Sequence, residues 1–440
     1  MLGFDWFVNE IHNVFNKLPD SRSHSPALKY KVKDAALGAF SLFFSQSSSF
    51  LSYQNHMKKT KGKSNAESLF KIDAIPTPNQ IRNIMDNVSP GNMYPIFSDC
   101  FNKMNSFGYL EEYRYFENCL LLAIDGTEYF RSNKINCECC SKSKHKNGTI
   151  TYSHKVLTPV ITQPFSNKVI PLEPEFVTPQ DGAKKQDCEL NAAKRWVRRN
   201  SHMANEKIII LGDDLFSREP FCKQLLTEGF HFILVCKPGS HKTLCQYLSG
   251  LDEHDGITTF SIRKWNGRFH EIATYSYCNN LPIKDGDGAL NVNWIKISII
   301  NEKNKKTIYE NSFVTDFVIN NQNAGKIVQA GRSRWKVENE NNNVLKTKGY
   351  HLDHNFGHGD KYLSSTLLTL NLLAFLSHVF LEFADAAYSL VRKELSTIKT
   401  FFNDFRSLTK YLYFDSWTDL IKFMAEELEL KEPDIIENSS

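Results

Sequence analysis

Apolar residues change their period several times along the chain. Up to about residue 115 they recur at helical spacing. In IPTPNQIRNIMDNV, Thr77 can cap a helix, Pro78 takes its first position, Gln80 closes a Thr-x-x-Gln capping box, and Ile81, Ile84 and Met85 share one face. The stretch before it, FSQSSSFLSYQNHMKKTKGKSNAESL, is rich in Ser and Lys without a sustained period. It reads as a flexible loop, either a solvated linker or a segment lying along DNA. From Cys119 the pattern shifts to short apolar runs bounded by turn residues: CLLLAIDGT, KVLTPVIT, KIIILGDD and FHFILVCKPG, with a helical pattern at GAKKQDCELNAAKRWVRR between the second and third. Such alternation predicts a mixed sheet with helical crossovers, the α/β centre of the protein. Between about 240 and 318, runs such as FHEIATYSYC and NWIKISII alternate with Asn/Gly/Asp turns and predict an inserted antiparallel β-rich unit. Helical spacing resumes at NQNAGKIVQAGRSRWKVENENNNVLK and, after a break at GYHLDHNFGHG, continues towards residue 440; no internal repeat is visible. The expected division is a helical region at 1–115, an α/β domain at 116–360 containing the insertion, and a helical region at 361–440.

Composition adds limits. With 440 residues, 41% hydrophobic and 23% charged, the chain can bury a large core. The longest apolar run, LLTLNLLAFLSHVFLEFADAAY, is interrupted by Asn371, His378, Glu382 and Asp385, so it reads as a buried core helix and no membrane partner is expected. The first residues carry Asp5 and Glu10 and lack a basic start, which predicts a cytoplasmic protein, and ten mostly scattered cysteines do not make a disulfide scaffold. Net charge is only +4, yet basic residues cluster at Lys142, Lys144, Lys146 and Lys155 and again at Lys184, Lys185, Lys194, Arg195, Arg198 and Arg199. Each cluster could neutralise phosphates or be a solvated face.

Candidate chemistry lies where apolar runs end in acid. Asp125 follows LLLAI, and Asp213 and Asp214 follow IIILG; a carboxylate at the end of a buried strand stands where a loop opens, although Asp is also an ordinary turn residue there. A third acid comes from GRSRWKVENENNNVLK. On a regular helix over 324–346, Arg334, Glu338 and Leu345 fall within roughly 40° of one another beside Ile327, while Glu340 points roughly 160° away from Glu338. Glu338 is therefore expected to face the sheet, with Arg334 one turn before it to orient the carboxylate or hold a phosphate, and Glu340 to lie near Val337 and Val344. Three such carboxylates can hold two Mg²⁺ ions for phosphoryl transfer.

AIDGT, ILGDDLFS and RSRWKVE together resemble the Asp, Asp, Glu set of bacterial insertion-sequence transposases. The resemblance is closest to the subgroup with a β-rich insertion and a Tyr-x2-Arg-x3-Glu-x6-Lys signature, and covers roughly 115–385. PLEPEFVTPQDGAKKQDCELNAAKRW also resembles the corresponding segment of such proteins. The resemblance implies a ribonuclease-H-like catalytic core and Mg²⁺, with Mn²⁺ able to substitute. It implies double-stranded DNA with terminal inverted repeats as the partner, cutting and joining of that DNA, and a homodimer across paired ends. Asp125, Asp213 and Glu338 would be the catalytic metal ligands; Asp213 is preferred to Asp214 because Phe216 stands three residues after it, as in the family. Arg334, Lys194, Arg195 and Arg198 would bind DNA. Gly331 stands where the signature has Tyr and Leu345 where it has Lys, so Lys346 or Lys348 would take the phosphate, with His351, His354 and His358 as further donors.

INCECCSKSKHKNGTITYSH holds Cys137, Cys139, Cys140, His145 and His154. Cys137-x-x-Cys140 has ligand spacing for zinc, and either histidine could contribute, with Cys137, Cys140 and His145 the candidate set. Without a second Cys-x-x-Cys, the segment reads more simply as a basic hairpin beside Asp125. Trp196 and Trp335 are expected in the core, although an exposed Trp could stack on a base. Two other functions fit the same residues: a catalytically silent protein that binds DNA ends, and a ribonuclease-H-like nuclease without strand transfer.

Overall fold

The computed structural model describes residues 3–22, 28–57, 63–179, 186–252, 256–395 and 397–430. Six helices come first: α1 (Phe4–Phe15), α2 (Val32–Phe44), α3 (Phe50–His56), α4 (Asn65–Phe70), α5 (Pro78–Met85) and α6 (Tyr94–Ser106). Helix α5 begins as expected, Thr77 Oγ1 accepting from Gln80 N at 3.4 Å, and buries Ile81, Ile84 and Met85. The Ser/Lys-rich stretch differs from the loop expected of it. Ser49 caps α3 by accepting from Ser52 N at 3.1 Å, and Phe50 and Tyr53 are buried, so local capping and two aromatic anchors outweigh the missing period. Residues 58–62 of that stretch lie outside the described residues.

Seven strands follow: β1 (Leu120–Ala123), β2 (Gly126–Ser132), β3 (Ser141–Lys144), β4 (Ile150–Leu157), β5 (Val160–Thr162), β6 (Ile170–Pro171) and β7 (Glu175–Val177). Then come α7 (Glu189–Arg199), β8 (Ile208–Gly212), α8 (Glu219–Thr227), β9 (His231–Val235) and α9 (Lys242–Asp252). The β-rich region supplies β10 (Thr258–Trp265), β11 (His270–Pro282), β12 (Asn291–Asn301) and β13 (Thr307–Thr315). After α10 (Ala324–Arg332), a π-helical turn at Val337–Asn342 leads into α11 (Asn343–Thr347). The remaining helices are α12 (Leu363–Ala384), α13 (Ala386–Glu394), α14 (Ile398–Tyr411) and α15 (Trp417–Glu427).

Nine strands form one mixed sheet in the order β10-β11-β12-β13-β9-β8-β1-β5-β6. Strand β8 runs parallel to both β1 and β9, and the other neighbours are antiparallel. Every residue of β1 and β8 is buried, which is why both read as unbroken apolar runs. The β-rich insertion is continuous with this sheet because β13 pairs with β9, Phe313 opposite Val235. A smaller antiparallel sheet, β2-β4-β3 with β7 also on β4, stands beside it.

Helix α12 is long and apolar enough to cross a membrane by length and composition, yet most of it is buried within the fold. Two of its polar interruptions are partnered there on one side, Asn371 Nδ2 donating to Tyr350 O at 2.8 Å and His378 Nδ1 lying 2.6 Å from Tyr350 Oη, while Asn371 Oδ1 and His378 Nε2 have no hydrogen-bond partner among the described residues. The first and last helical regions share one core. Phe4 stacks on Trp417 at 4.3 Å, Asn65 Nδ2 donates to Thr409 O at 2.8 Å, and Arg406 Nη1 donates to Ser45 O at 2.6 Å.

Candidate functional site

Parallel pairing decides where the first two acids go. β1 and β8 are in register from Leu120–Ile208 to Ala123–Leu211, and Ile124 N extends the ladder by donating to Leu211 O at 2.9 Å. Asp125 and Asp213 therefore leave neighbouring strands at the same carboxyl end of the sheet. The π-helical turn is tied to this end through Thr158, whose N–H donates to Asp125 O at 2.9 Å while its Oγ1 donates to Asn342 Oδ1 at 2.8 Å. Burial pushes the Asp125 carboxyl up to about 7; the negative charge of Glu338 adds to this, Arg334 opposes it, and Asp213 adds again.

Asp213 and Asp214 are used differently. Asp214 accepts from Lys237 N at 2.7 Å with one oxygen and from Ser240 Oγ with the other, and His241 Nε2 lies 3.8 Å away, so this carboxylate fastens the loop after β9. Asp213 Oδ1 caps its own turn, accepting from Leu215 N at 2.9 Å. Its other oxygen has no hydrogen bond among the described residues.

Glu338 differs from the expectation that it faces the core. Its side chain is 48% exposed and accepts a 2.6 Å hydrogen bond from Arg334 Nη1. Val337, expected beside Glu340, is fully buried together with Leu345 and Ile327. The regular phase assumed over 324–346 is broken first by tight i→i+3 turns between Ala330 and Val337 and then by the wider π-helical turn. Glu340 is half-buried and acts on the buried Lys336.

The two departures from the transposase signature have packing explanations. A Cβ on Gly331 would fall 2.7 Å from Phe313 Cε1 and 3.0 Å from Ile233 Cγ2, so α10 lies too close to the sheet for a tyrosine. Leu345 is wholly buried, and a lysine there would lose its hydration. Lys346 donates to Glu128 O at 3.3 Å, which puts it beside β2, and Lys348 is exposed.

Among the basic residues expected on DNA, Arg195 is occupied internally. It donates to Asp187 at 3.1 and 2.8 Å, to Glu175 at 2.8 Å and to Phe176 O at 2.9 Å. Arg198 is exposed, Lys194 is half-buried, and Lys184 and Lys185 lie outside the described residues. Trp196 is core, its Nε1 donating to Glu173 O at 3.0 Å, whereas Trp335 is 40% exposed beside Arg334, contrary to expectation.

A second constellation could bind a metal, with zinc the natural candidate for its donors. Cys137, Cys140, His154 and His358 bring their ligand atoms within 4.8 Å of one another. The candidate set of Cys137, Cys140 and His145 is corrected here: His145 is exposed, with Nε2 2.7 Å from Thr151 Oγ1 beyond the hairpin, and His154 and His358 occupy the remaining corners. His154, 14 residues after Cys140, was within reach of local spacing. His358, which is 218 residues from Cys140, has no local signal. Among the described residues the three carboxylates do not form an equally compact group.

Comparison of the chain with known protein families and with curated proteins finds no match.

Proposed function

We propose that the protein is a DNA transposase that cuts and joins DNA at the ends of its own insertion sequence. The observation that carries this reading is that Asp125 and Asp213 leave adjacent parallel strands at one end of the sheet, with Glu338 near enough for its charge to add to the burial that raises the Asp125 carboxyl. The oxygen-only donor set, and a carboxyl whose ionisation its neighbours oppose, fit a hard divalent cation. Asp125, Asp213 and Glu338 would hold Mg²⁺ or Mn²⁺, which when bound supplies charge stabilisation to the attacking and leaving oxygens. The strand order β6-β5-β1-β8-β9, three antiparallel strands followed by two parallel to β1, supports a ribonuclease-H-like core.

The remaining roles follow from position. Arg334 orients Glu338 and offers a guanidinium to a DNA phosphate. Exposed Trp335 next to it is available for stacking on a base. Lys346, Lys348 and Arg198 would contact phosphates of a double-stranded end, with a second copy of the chain bound at the paired end.

A second reading, a silent protein that binds ends, is favoured by the pairing of Glu338 to Arg334 and by carboxylates that are not compactly gathered among the described residues. The discriminating experiment uses labelled duplexes spanning the inverted repeats that should flank the gene, incubated with Mg²⁺ or Mn²⁺. The transposase reading expects cleavage and joined products, both lost in Asp213→Asn with DNA binding retained. Binding without cation-dependent cleavage would establish the silent reading, and cleavage without joining the nuclease reading.

A further inference from the structure

We propose that Cys137, Cys140, His154 and His358 bind one structural zinc ion that fastens the hairpin beside Asp125 to the helical body. Zinc bonds of about 2.3 Å to sulfur and 2.0–2.1 Å to nitrogen, arranged tetrahedrally, require S···S edges of about 3.8 Å and S···N edges of about 3.5 Å. Four of the six edges lie close to these values: Cys137 Sγ to Cys140 Sγ is 3.8 Å. Cys137 Sγ and Cys140 Sγ lie 3.4 and 3.5 Å from His154 Nε2, and Cys140 Sγ lies 3.6 Å from His358 Nε2. Four ligand atoms from three separate segments have no reason to converge at these edges for packing alone. Cys137 N also donates to Cys140 Sγ at 3.4 Å, which suits a sulfur that carries negative charge.

Burial supports a closed, structural site. Cys140, His154 and His358 are 2%, 3% and 9% exposed, and aromatic rings wall the cluster, Tyr129 stacking on His154 and Phe130 against His358. All four positions are filled by protein, leaving none open for a reacting water.

The topology shows what the ion would join. The two cysteines lie in the turn after β2, and His154 lies on β4. His358 belongs to the segment before α12, which Asp86 grips from the other side by accepting from the backbone N–H groups of Lys361, Tyr362 and Leu363 at 3.0–3.1 Å. β2 begins immediately after Asp125, and β4 ends immediately before Thr158, which bonds to Asp125 O. The ion therefore stiffens both strands that flank the first acid without touching it.

The test is elemental analysis of the full-length protein purified without chelator, together with cobalt reconstitution. Wild type should carry about one zinc per chain, and the cobalt form should show the intense visible absorption of a tetrahedral thiolate site. His358→Asn and Cys140→Ser should lose the metal, while His145→Asn and Cys139→Ser keep it. Wild type holding less than about a tenth of a zinc would overturn the proposal, as would a Cys137–Cys140 disulfide in the intact mass or loss of metal in His145→Asn. Metal content is read without any DNA, so this result stands apart from whether the protein cleaves.

Discussion

At the scale of single residues, Asp125 gives the most direct electrostatic test. Its carboxyl is raised from an ordinary value near 4 to about 7, so folding favours its protonated form. The sign follows from linkage: the penalty for keeping Asp125 is absent below about pH 4, grows as pH rises towards 7, and is constant above that, with a ceiling of about 4 kcal/mol. Asp125→Asn should therefore unfold at a higher temperature than wild type at pH 8 and at nearly the same temperature at pH 4. Equal melting at both pH values would mean that neither burial nor the neighbouring acids raise the Asp125 carboxyl. That Asp125 and Asp213 follow buried strands was legible in the sequence from the apolar runs before them. The use of Asp214 by Lys237 N and Ser240 was not legible, because it depends on a loop more than twenty residues away.

Among secondary-structure elements, the segment from α10 to α11 shows where periodicity stops being informative. The apolar positions Ile327 and Leu345 are core, as their spacing predicts, but the tight and π-helical turns between them leave Val337 inward and Glu338 at the surface of the site. Nothing in VENENN announces that turn, since hydrogen bonds of i→i+5 type depend on what the helix packs against. Close packing of α10 on the sheet yields a second prediction. Gly331→Ala would drive a methyl group into Phe313 and Ile233, and should lower stability by about 1–3 kcal/mol in chemical denaturation. An unchanged midpoint would show that α10 can retreat from β13 and β9 at no cost. The strands themselves were visible as apolar runs, whereas the pairing of β13 with β9, which makes the insertion part of the main sheet, is a non-local contact that run lengths do not encode.

Across the whole molecule, one helical body formed from both ends of the chain packs against a nine-stranded sheet, and the carboxylates lie where β1 and β8 end. The joining of the two ends through Phe4, Trp417, Asn65 and Arg406 could not be read from either end alone. It makes the first helices part of the scaffold that supports α12. The candidate zinc site lies between this body and the hairpin after Asp125, so the two proposed metal centres share one architecture while using different donors. In the proposed site Glu338, not Glu340, completes the carboxylate set. Cation-dependent cleavage of the flanking inverted-repeat DNA by Glu338→Gln and Glu340→Gln tests it most directly, with DNA binding measured alongside. Glu338→Gln should cut more slowly by roughly two orders of magnitude or more while still binding, the scale expected when a group that stabilises transition-state charge is removed, and Glu340→Gln should cut nearly as wild type. Full activity in Glu338→Gln, with or without loss in Glu340→Gln, would contradict the account.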